Sequence, residues 1–486
     1  MMKQIVTPMP KGIIALYLVQ ALTTFSYATL YSSLALFLTK QLQVEHRLSN
    51  SIVGLFLALN YVLQLIGGLL GGRFLSNRAL LLLASVIEIF GLFALATRSM
   101  SLLFASLSMF LVGCGISFTC YNNMLTQRFS SEDERRETAF ILSYAMMSIG
   151  FCAGYTLSGF FDYTNQYQGL FYIAILMDIV TIFFILRNWP ILVDINTPLT
   201  QVNSSQRLRI NCIGTLITLG CIPFLMLCFK ATQISNGLVV SLSSLMFLII
   251  LYLGYHQKSP KDKERIMAYL LLAIISVLFW MIYFTGPMGV ILFIKNNTDR
   301  HLFGYEIATQ WLLNINPLVI IACAPILFLR ISSLQTKFNF SVSRQFACGF
   351  ILLALSFFSL ACGINFAGAE GFVCLSWIIA YFIFQGLAEL LIAPVGYAMI
   401  GRIAPTHLQG LMMGSWMMIA GAAASLSHYF ANEMVKNEAL APTLTNERYL
   451  SIFEQLGMWA VAGAVFLFLV SRKIKTFINP TVVEGI

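Results

Sequence analysis

Long apolar runs separated by short polar breaks repeat along the whole of this 486-residue chain. A run of about 20 apolar residues is long enough for a helix to cross a bilayer. The first six such runs are Lys11–Leu42, Ile52–Leu70, Ala79–Ala96, Ser101–Leu125, Thr138–Phe160 and Gly169–Leu186. From Arg187 to Gln206 the pattern turns polar, with Pro190, Pro198 and several Asn and Ser, which reads as a linker. Two runs follow, Leu208–Phe229 and Asn236–Tyr255, and then a basic stretch, His256–Arg265. Six more complete the series: Ile266–Phe293, Phe303–Ile331, Ser343–Phe366, Gly371–Ile403, Leu408–Ala431 and Tyr449–Val470. The pattern predicts an all-α membrane protein of about 14 spanning helices, grouped six, two and six. It divides the chain into an N-terminal six-helix bundle (1–190), a linker carrying two extra helices (191–265) and a C-terminal six-helix bundle (266–486).

Composition agrees. Hydrophobic residues make up 58% and charged residues 10%, where a soluble domain carries about 25% charged residues. The net charge of +9 has a membrane explanation, because cytoplasmic loops collect Lys and Arg. With the N-terminus inside, most of the basic residues fall on cytoplasmic segments, among them Arg73, Arg78, Arg135, Arg136, Lys261, Lys263, Arg344, Arg402, Arg472 and Lys473. An even number of spans returns the C-terminus to the cytoplasm. No basic stripe is interleaved with aromatics, so nucleic acid is not an expected partner. Lys3 and Lys11 precede an apolar run too long for a signal-peptide core, and no small-residue cleavage site follows, so no cleavable leader is expected.

The ten cysteines, Cys114, Cys120, Cys152, Cys212, Cys221, Cys228, Cys323, Cys348, Cys362 and Cys374, lie in apolar segments and form no CxxC pair. They read as packing residues, and neither a metal nor a cofactor is expected. The chain carries no Walker loop, no HExxH, no nucleophile elbow and no GxGxxG after a strand. An enzyme, and ATP-driven transport, are therefore not expected. Two six-helix halves about a central linker instead suit a carrier built from paired repeats, with its site near the membrane midplane.

Glu389 is the most informative candidate. Every other side chain from Tyr381 to Ala398 is uncharged. A carboxylate at membrane depth costs at least a few kcal/mol and marks a substrate or proton path. Conversely, the first run, Leu16–Leu38, has no ionisable group except its tyrosines. Glu88 and Asp178 also interrupt apolar runs. They read either as polar-paired residues away from any cavity or as a displaced proton site. Trp280, Tyr283 and Thr285 precede Gly286-Pro287, where a helix is expected to bend and can form a gate. The mixed-charge stretch Ser130–Glu137 reads as a solvated cytoplasmic turn.

Several motifs carry a resemblance. Gly67-Gly68-Leu69-Leu70-Gly71-Gly72-Arg73, with Arg78 after it, resembles the cytoplasmic loop of the major facilitator superfamily, although Gly72 stands where that loop has an acidic residue. Asn316-Pro317-Leu318 through Ala324-Pro325-Ile326, preceded by Phe303-Gly304-Tyr305, resembles the eighth helix of the proton-dependent oligopeptide transporters. Gln385-Gly386-Leu387-Ala388-Glu389-Leu390 through Gly396-Tyr397-Ala398-Met399 resembles their tenth. Pro405-Thr406-His407-Leu408-Gln409-Gly410 and Gly414-Ser415-Trp416 resemble the start of their eleventh, and two extra central helices match the family's bacterial members.

The resemblance implies a major facilitator-type bundle in a bacterial inner membrane, monomeric, working on peptides or other amines by alternating access. It implies that Glu389 and Asn316 lie near a bound peptide's amino terminus, and that Trp416 lines a side-chain pocket. Tyr27, Tyr61 and Tyr144 match family tyrosines in the substrate region; Tyr31 follows one turn after Tyr27, and Ser148 takes the place of a family asparagine. The departures are as informative. The family's first helix carries two glutamates and an arginine tied to proton coupling; aligned on Phe25, those positions read Gln20, Thr23 and Thr24. A fourth-helix lysine reads Phe118, and the second first-helix tyrosine reads Ala28. Uncharged polar groups can hydrogen-bond but cannot exchange a proton near neutral pH.

The resulting expectation is a secondary active transporter similar to proton-coupled di- and tripeptide symporters, with Glu389 as the candidate proton carrier. Two alternatives stand beside it: an uncoupled or differently coupled carrier of amino acids or other amines, and a non-transporting membrane scaffold or receptor.

Overall fold

The computed structural model describes residues 9–129, 133, 135–324, 342–403, 408–434 and 441–478. Pro325 and Ile326, and Pro405, Thr406 and His407, lie outside them, as does part of Ser130–Glu137.

Fourteen helices account for the described residues, as the apolar pattern predicts. They are α1 (Ile13–Gln41), α2 (His46–Leu70), α3 (Asn77–Ala96), α4 (Leu103–Thr126), α5 (Arg135–Tyr163), α6 (Tyr167–Arg187), α7 (Ser204–Lys230) and α8 (Thr232–Tyr255). Then come α9 (Pro260–Asn297), α10 (Thr309–Ala324), α11 (Val342–Asn365), α12 (Leu375–Ile403), α13 (Gln409–Met434) and α14 (Pro442–Ile478). Twelve are long and apolar enough to cross a membrane. This is a multi-pass, all-α membrane protein.

One boundary differs from the reading of the sequence. The apolar run beginning at Phe303 is not helical at its start. His301–Leu302 (β2) and Tyr305–Glu306 (β3) form a small antiparallel hairpin. Phe303 and Gly304 turn it with positive φ, 52° and 84°, the backbone form a two-residue hairpin turn requires. Phe303 and Tyr305 are 92% and 80% exposed, so their aromatic character misleads a hydropathy reading. Thr298–Asp299 (β1) pairs in parallel with Val373–Cys374 (β4). Within α10 the helix is interrupted at Asn314. Pro317 therefore falls in the first turn of the continuing segment, where its missing N–H costs little.

The helices sort into two compact units. Unit 1 comprises Met1–Tyr31 and Val62–Lys230; unit 2 comprises Ser32–Tyr61 and Ala231–Ile486. Helices α1 and α2 are thus each divided, and of the two extra helices α7 belongs to unit 1 and α8 to unit 2. Of their apolar windows only 22% and 17% is buried, against 67% for α1, α2 and α9. Apolar residues so little covered by protein are suited to face lipid.

In unit 1, α3 packs on α4 and α6, and α4 on α7. Helix α5 meets α1 along a ladder of small residues at helical spacing. A Cβ on Gly150 would lie 2.4 Å from the Ala21 carbonyl oxygen, and one on Gly154 would lie 2.6 Å from Ala28 Cβ. Ser158 Oγ continues the ladder, donating to Thr29 O at 3.2 Å. Small residues one turn apart let two membrane helices approach backbone to backbone.

The glycine-rich loop before α3 is closed by the linker after α6. Gly72 has φ 73°, and its carbonyl accepts the Leu199 N–H at 3.0 Å. Asp194 accepts the Asn77 backbone N–H and its side-chain amide, both at 2.9 Å. A carboxylate at a helix N-terminus satisfies an orphan N–H and complements the helix dipole. The linker thus supplies an acid beside a loop that has Gly72 at its own acidic position. Arg78 completes the closure, with its guanidinium 4.6 Å above the Trp189 ring and donating to the Trp189 carbonyl.

In unit 2, α11 packs on α12 and α14, and α13 on α8 and α9. Helix α9 is regular to Tyr283, and a π-turn follows at Gly286–Val290. The change of helical form falls at Gly286-Pro287, where the sequence predicts a bend.

Candidate functional site

Glu389 on α12 is half-buried, and it does not stand alone. Tyr283, the last residue of the regular first segment of α9, donates its phenolic O–H to Glu389 Oε2 at 2.5 Å. Asn316 on α10 donates its side-chain amide to Tyr283 Oη at 3.3 Å. Three helices of unit 2 therefore converge on one polar chain, Asn316–Tyr283–Glu389. Sequence reasoning singled out its two ends. Tyr283 was legible only as part of a bend; nothing in the local pattern aims its hydroxyl at a helix a hundred residues away.

The local sequence explains how these groups meet. Gly386 lies one turn before Glu389, and a Cβ there would come within 3.1 Å of the Asn316 carbonyl oxygen. The glycine lets α10 approach α12 closely enough to bring Asn316 into range. Gln385, beside it, donates to Tyr381 Oη at 3.0 Å, so its amide is engaged along its own helix. An aromatic wall adjoins Tyr283: its ring lies 5.3 Å from Trp280 and 5.7 Å from Phe284. Tyr61 joins the wall through Phe284, at 6.1 Å. Trp416 falls elsewhere in the packing. It is buried against Tyr269, with ring centroids 6.1 Å apart, and Tyr269 donates to Met412 O at 3.0 Å.

A carboxylate, a phenol and a carboxamide in an apolar, aromatic setting make a compact acceptor set. An ammonium group has three donors and no acceptor. Its bonds to a carboxylate are charge-assisted and stronger than neutral ones.

Unit 1 holds the remaining candidates in a different state. Thr23 Oγ1 donates to Val19 O at 2.9 Å, and Gln20 Nε2 reaches Thr24 Oγ1 at 3.4 Å. The three residues at the altered first-helix positions are thus bonded within α1 itself, although Gln20 Oε1 is buried without a partner. Ser148 is buried and donates to the Tyr144 carbonyl one turn back, at 3.0 Å. Phe118 is half-buried on α4. Tyr27 and Tyr31 lie 5.8 Å apart and share an aromatic cluster with Phe151 and Tyr155; Tyr31 stacks on Tyr155 at 6.2 Å. The glycines of the loop, Gly67, Gly68 and Gly71, make room for Ile116, Thr119 and Asn77 respectively.

A model of the POT family (PTR2) matches residues 78–447, about three-quarters of the chain. The chain belongs to the POT family. Among proteins similar to this POT member is dipeptide and tripeptide permease B of Salmonella typhimurium, 26% identical over 480 residues, covering 97% of this chain and 96% of the permease. Dipeptide and tripeptide permease A of Escherichia coli is 24% identical, covering 96% and 93%. The crystal structure of a peptide transporter POT in complex with alafosfalin matches with a TM-score of 0.83 at 20% identity, over 97% of this chain and 96% of that one. A POT family transporter in complex with 5-aminolevulinic acid matches with a TM-score of 0.81, also at 20% identity. The major facilitator-type fold expected for this POT chain is therefore established, and the relatives named are permeases and transporters.

Proposed function

We propose that this POT member is a secondary transporter of di- and tripeptides, working by alternating access in a bacterial inner membrane with both termini in the cytoplasm. Glu389 receives the substrate's amino terminus. Asn316 and Tyr283 orient that carboxylate and add neutral hydrogen bonds. The observation that carries this reading is the polar chain Asn316–Tyr283–Glu389 on three helices of one unit. A carboxylate is the acceptor best suited to an ammonium group, whose bonds to it are charge-assisted. The dipeptide and tripeptide permeases that this chain resembles end to end support the substrate class.

Counterflow tests the reading. Vesicles containing the purified chain and loaded with unlabelled dialanine should take up labelled dialanine from outside; vesicles that do not would exclude peptide exchange. Tyr283→Phe is expected to slow that exchange by roughly fivefold, the loss of about one net hydrogen bond. An unchanged rate would mean that Tyr283 does not position the site.

A second reading has its own observation. Gln20, Thr23 and Thr24 are uncharged where the family's coupling charges are expected, and Phe118 stands where its fourth-helix lysine is expected. An uncoupled carrier would equilibrate its substrate with or without a proton gradient.

A further inference from the structure

Unit 1 contains a polar centre that the site above does not use. Glu88 on α3 and Asp178 on α6 are 0% and 1% exposed. Of their four carboxyl oxygens, Asp178 Oδ1 accepts a hydrogen bond from Ser26 Oγ on α1 at 2.7 Å. Glu88 Oε1, Glu88 Oε2 and Asp178 Oδ2 are buried with no partner. The two carboxyls are electrostatic neighbours, and among the described residues Cys114 on α4 is the titratable group near both. On α1 the group facing them is the Ser26 hydroxyl, and among the described residues no Lys, Arg or His pairs with either carboxyl. Helix α4 makes room for Glu88: a Cβ on Gly113 would lie 2.4 Å from Glu88 Cβ.

This arrangement is short of hydrogen-bond donors. Unpaired buried acceptors are rare because each forfeits its hydration without compensation. Two unneutralised carboxylates at membrane depth would be costlier still, and two carboxylates sharing a site do not both ionise readily. A proton answers both deficits. Bound to one carboxyl oxygen, it removes a negative charge and turns that oxygen from an acceptor into a donor. A metal ion is a poorer fit, because among the described residues Ser26 is the one side chain bonded to either carboxyl, and hard cations gather six or more oxygens.

We propose that Glu88 and Asp178 form a proton-binding site inside unit 1, whose occupancy is transmitted to the first helix through the Ser26–Asp178 hydrogen bond. The step is a simple protonation, a carboxylate oxygen gaining a proton from water and releasing it again. Helix α1 passes from unit 1 to unit 2 at Tyr31, a little beyond Ser26. The site therefore touches the same helix whose Gln20, Thr23 and Thr24 carry no exchangeable proton. Its assignment to coupling rests on the transport reading; its assignment as a proton site does not.

Two measurements separate these claims. Infrared spectra of the purified full chain in lipid, recorded across pH in water and heavy water, should contain a carboxylic acid C=O band that titrates. That band should be missing from Glu88→Gln and from Asp178→Asn, and its titration should move in Ser26→Ala. Both carboxyl variants keep the shape of the side chain, and either alone suffices if the other does not fold. No change in the band in the folded variants, or a band constant at every pH, would overturn the site. In vesicles, the same two variants should retain dipeptide counterflow and lose accumulation driven by an inward proton gradient. Accumulation that survives in either variant would overturn the coupling role. Absence of counterflow in the native chain would count against peptide transport and leave the infrared result to decide the proton site.

Discussion

Glu389→Gln is expected to lower the initial rate of dipeptide uptake by about tenfold to a hundredfold. A hydrogen bond to a charged group contributes about 1.5–3 kcal/mol, and each 1.4 kcal/mol is about tenfold. Glutamine keeps the length and planarity of the side chain. Its carbonyl oxygen can still accept from Tyr283, which now bonds Glu389 at 2.5 Å, so the three helices should remain together. What is removed is the negative charge that an ammonium group would meet. Uptake rates and a thermal melt of the same preparation would check this. Uptake equal to the native chain would remove Glu389 from substrate binding; a collapsed melt would recast it as structural.

The second large effect concerns stability. Gly150→Leu should destabilise unit 1, while Gly237→Leu should be tolerated. At Gly150 a new Cβ would lie 2.4 Å from Ala21 O, 2.9 Å from Thr24 Cβ and 3.2 Å from Phe25 N. Two of these are backbone atoms of α1, which can yield only by moving the helix. Overpacking of this kind costs about 1–3 kcal/mol and sometimes more. At Gly237 nothing lies within 4 Å, so the added leucine should meet lipid. The expected observation is a lower thermal midpoint in detergent for the first variant and a native midpoint for the second. Equal midpoints would mean that α1 and α5 are not in contact through Gly150.

Most of the fold was legible because hydropathy is a local signal. Helices from Lys11–Leu42 to Tyr449–Val470 were predicted from runs of apolar residues, and the described helices match them closely. The exception, Phe303 to Glu306, shows the limit of that signal. Aromatic residues in an exposed hairpin score like those in a span, and only the backbone form of Phe303 and Gly304 separates the two. The candidate site was legible at Glu389 because a lone charge in an apolar run needs a reason. Asn316 came from motif resemblance.

What escaped was relational. The Tyr283 hydroxyl reaches a helix more than a hundred residues along the chain, and Asp194 bonds Asn77 from a linker that reads as filler. The packing of Gly150 and Gly154 on the first helix escaped as well, because nothing local names the helix that a small residue meets. The likeness of Glu88 and Asp178 as isolated acids was plain from their runs. That one hydroxyl, Ser26, would serve only one of their four oxygens was not.

The most direct test compares binding of a dipeptide with that of its N-acetylated form, to the native chain and to Glu389→Gln. The native chain should prefer the free amine by about tenfold or more, the value of one charge-assisted hydrogen bond. The variant should lose that preference. Equal binding of the two peptides to the native chain, or a preference that persists in the variant, would contradict the docking of the amino terminus on Glu389.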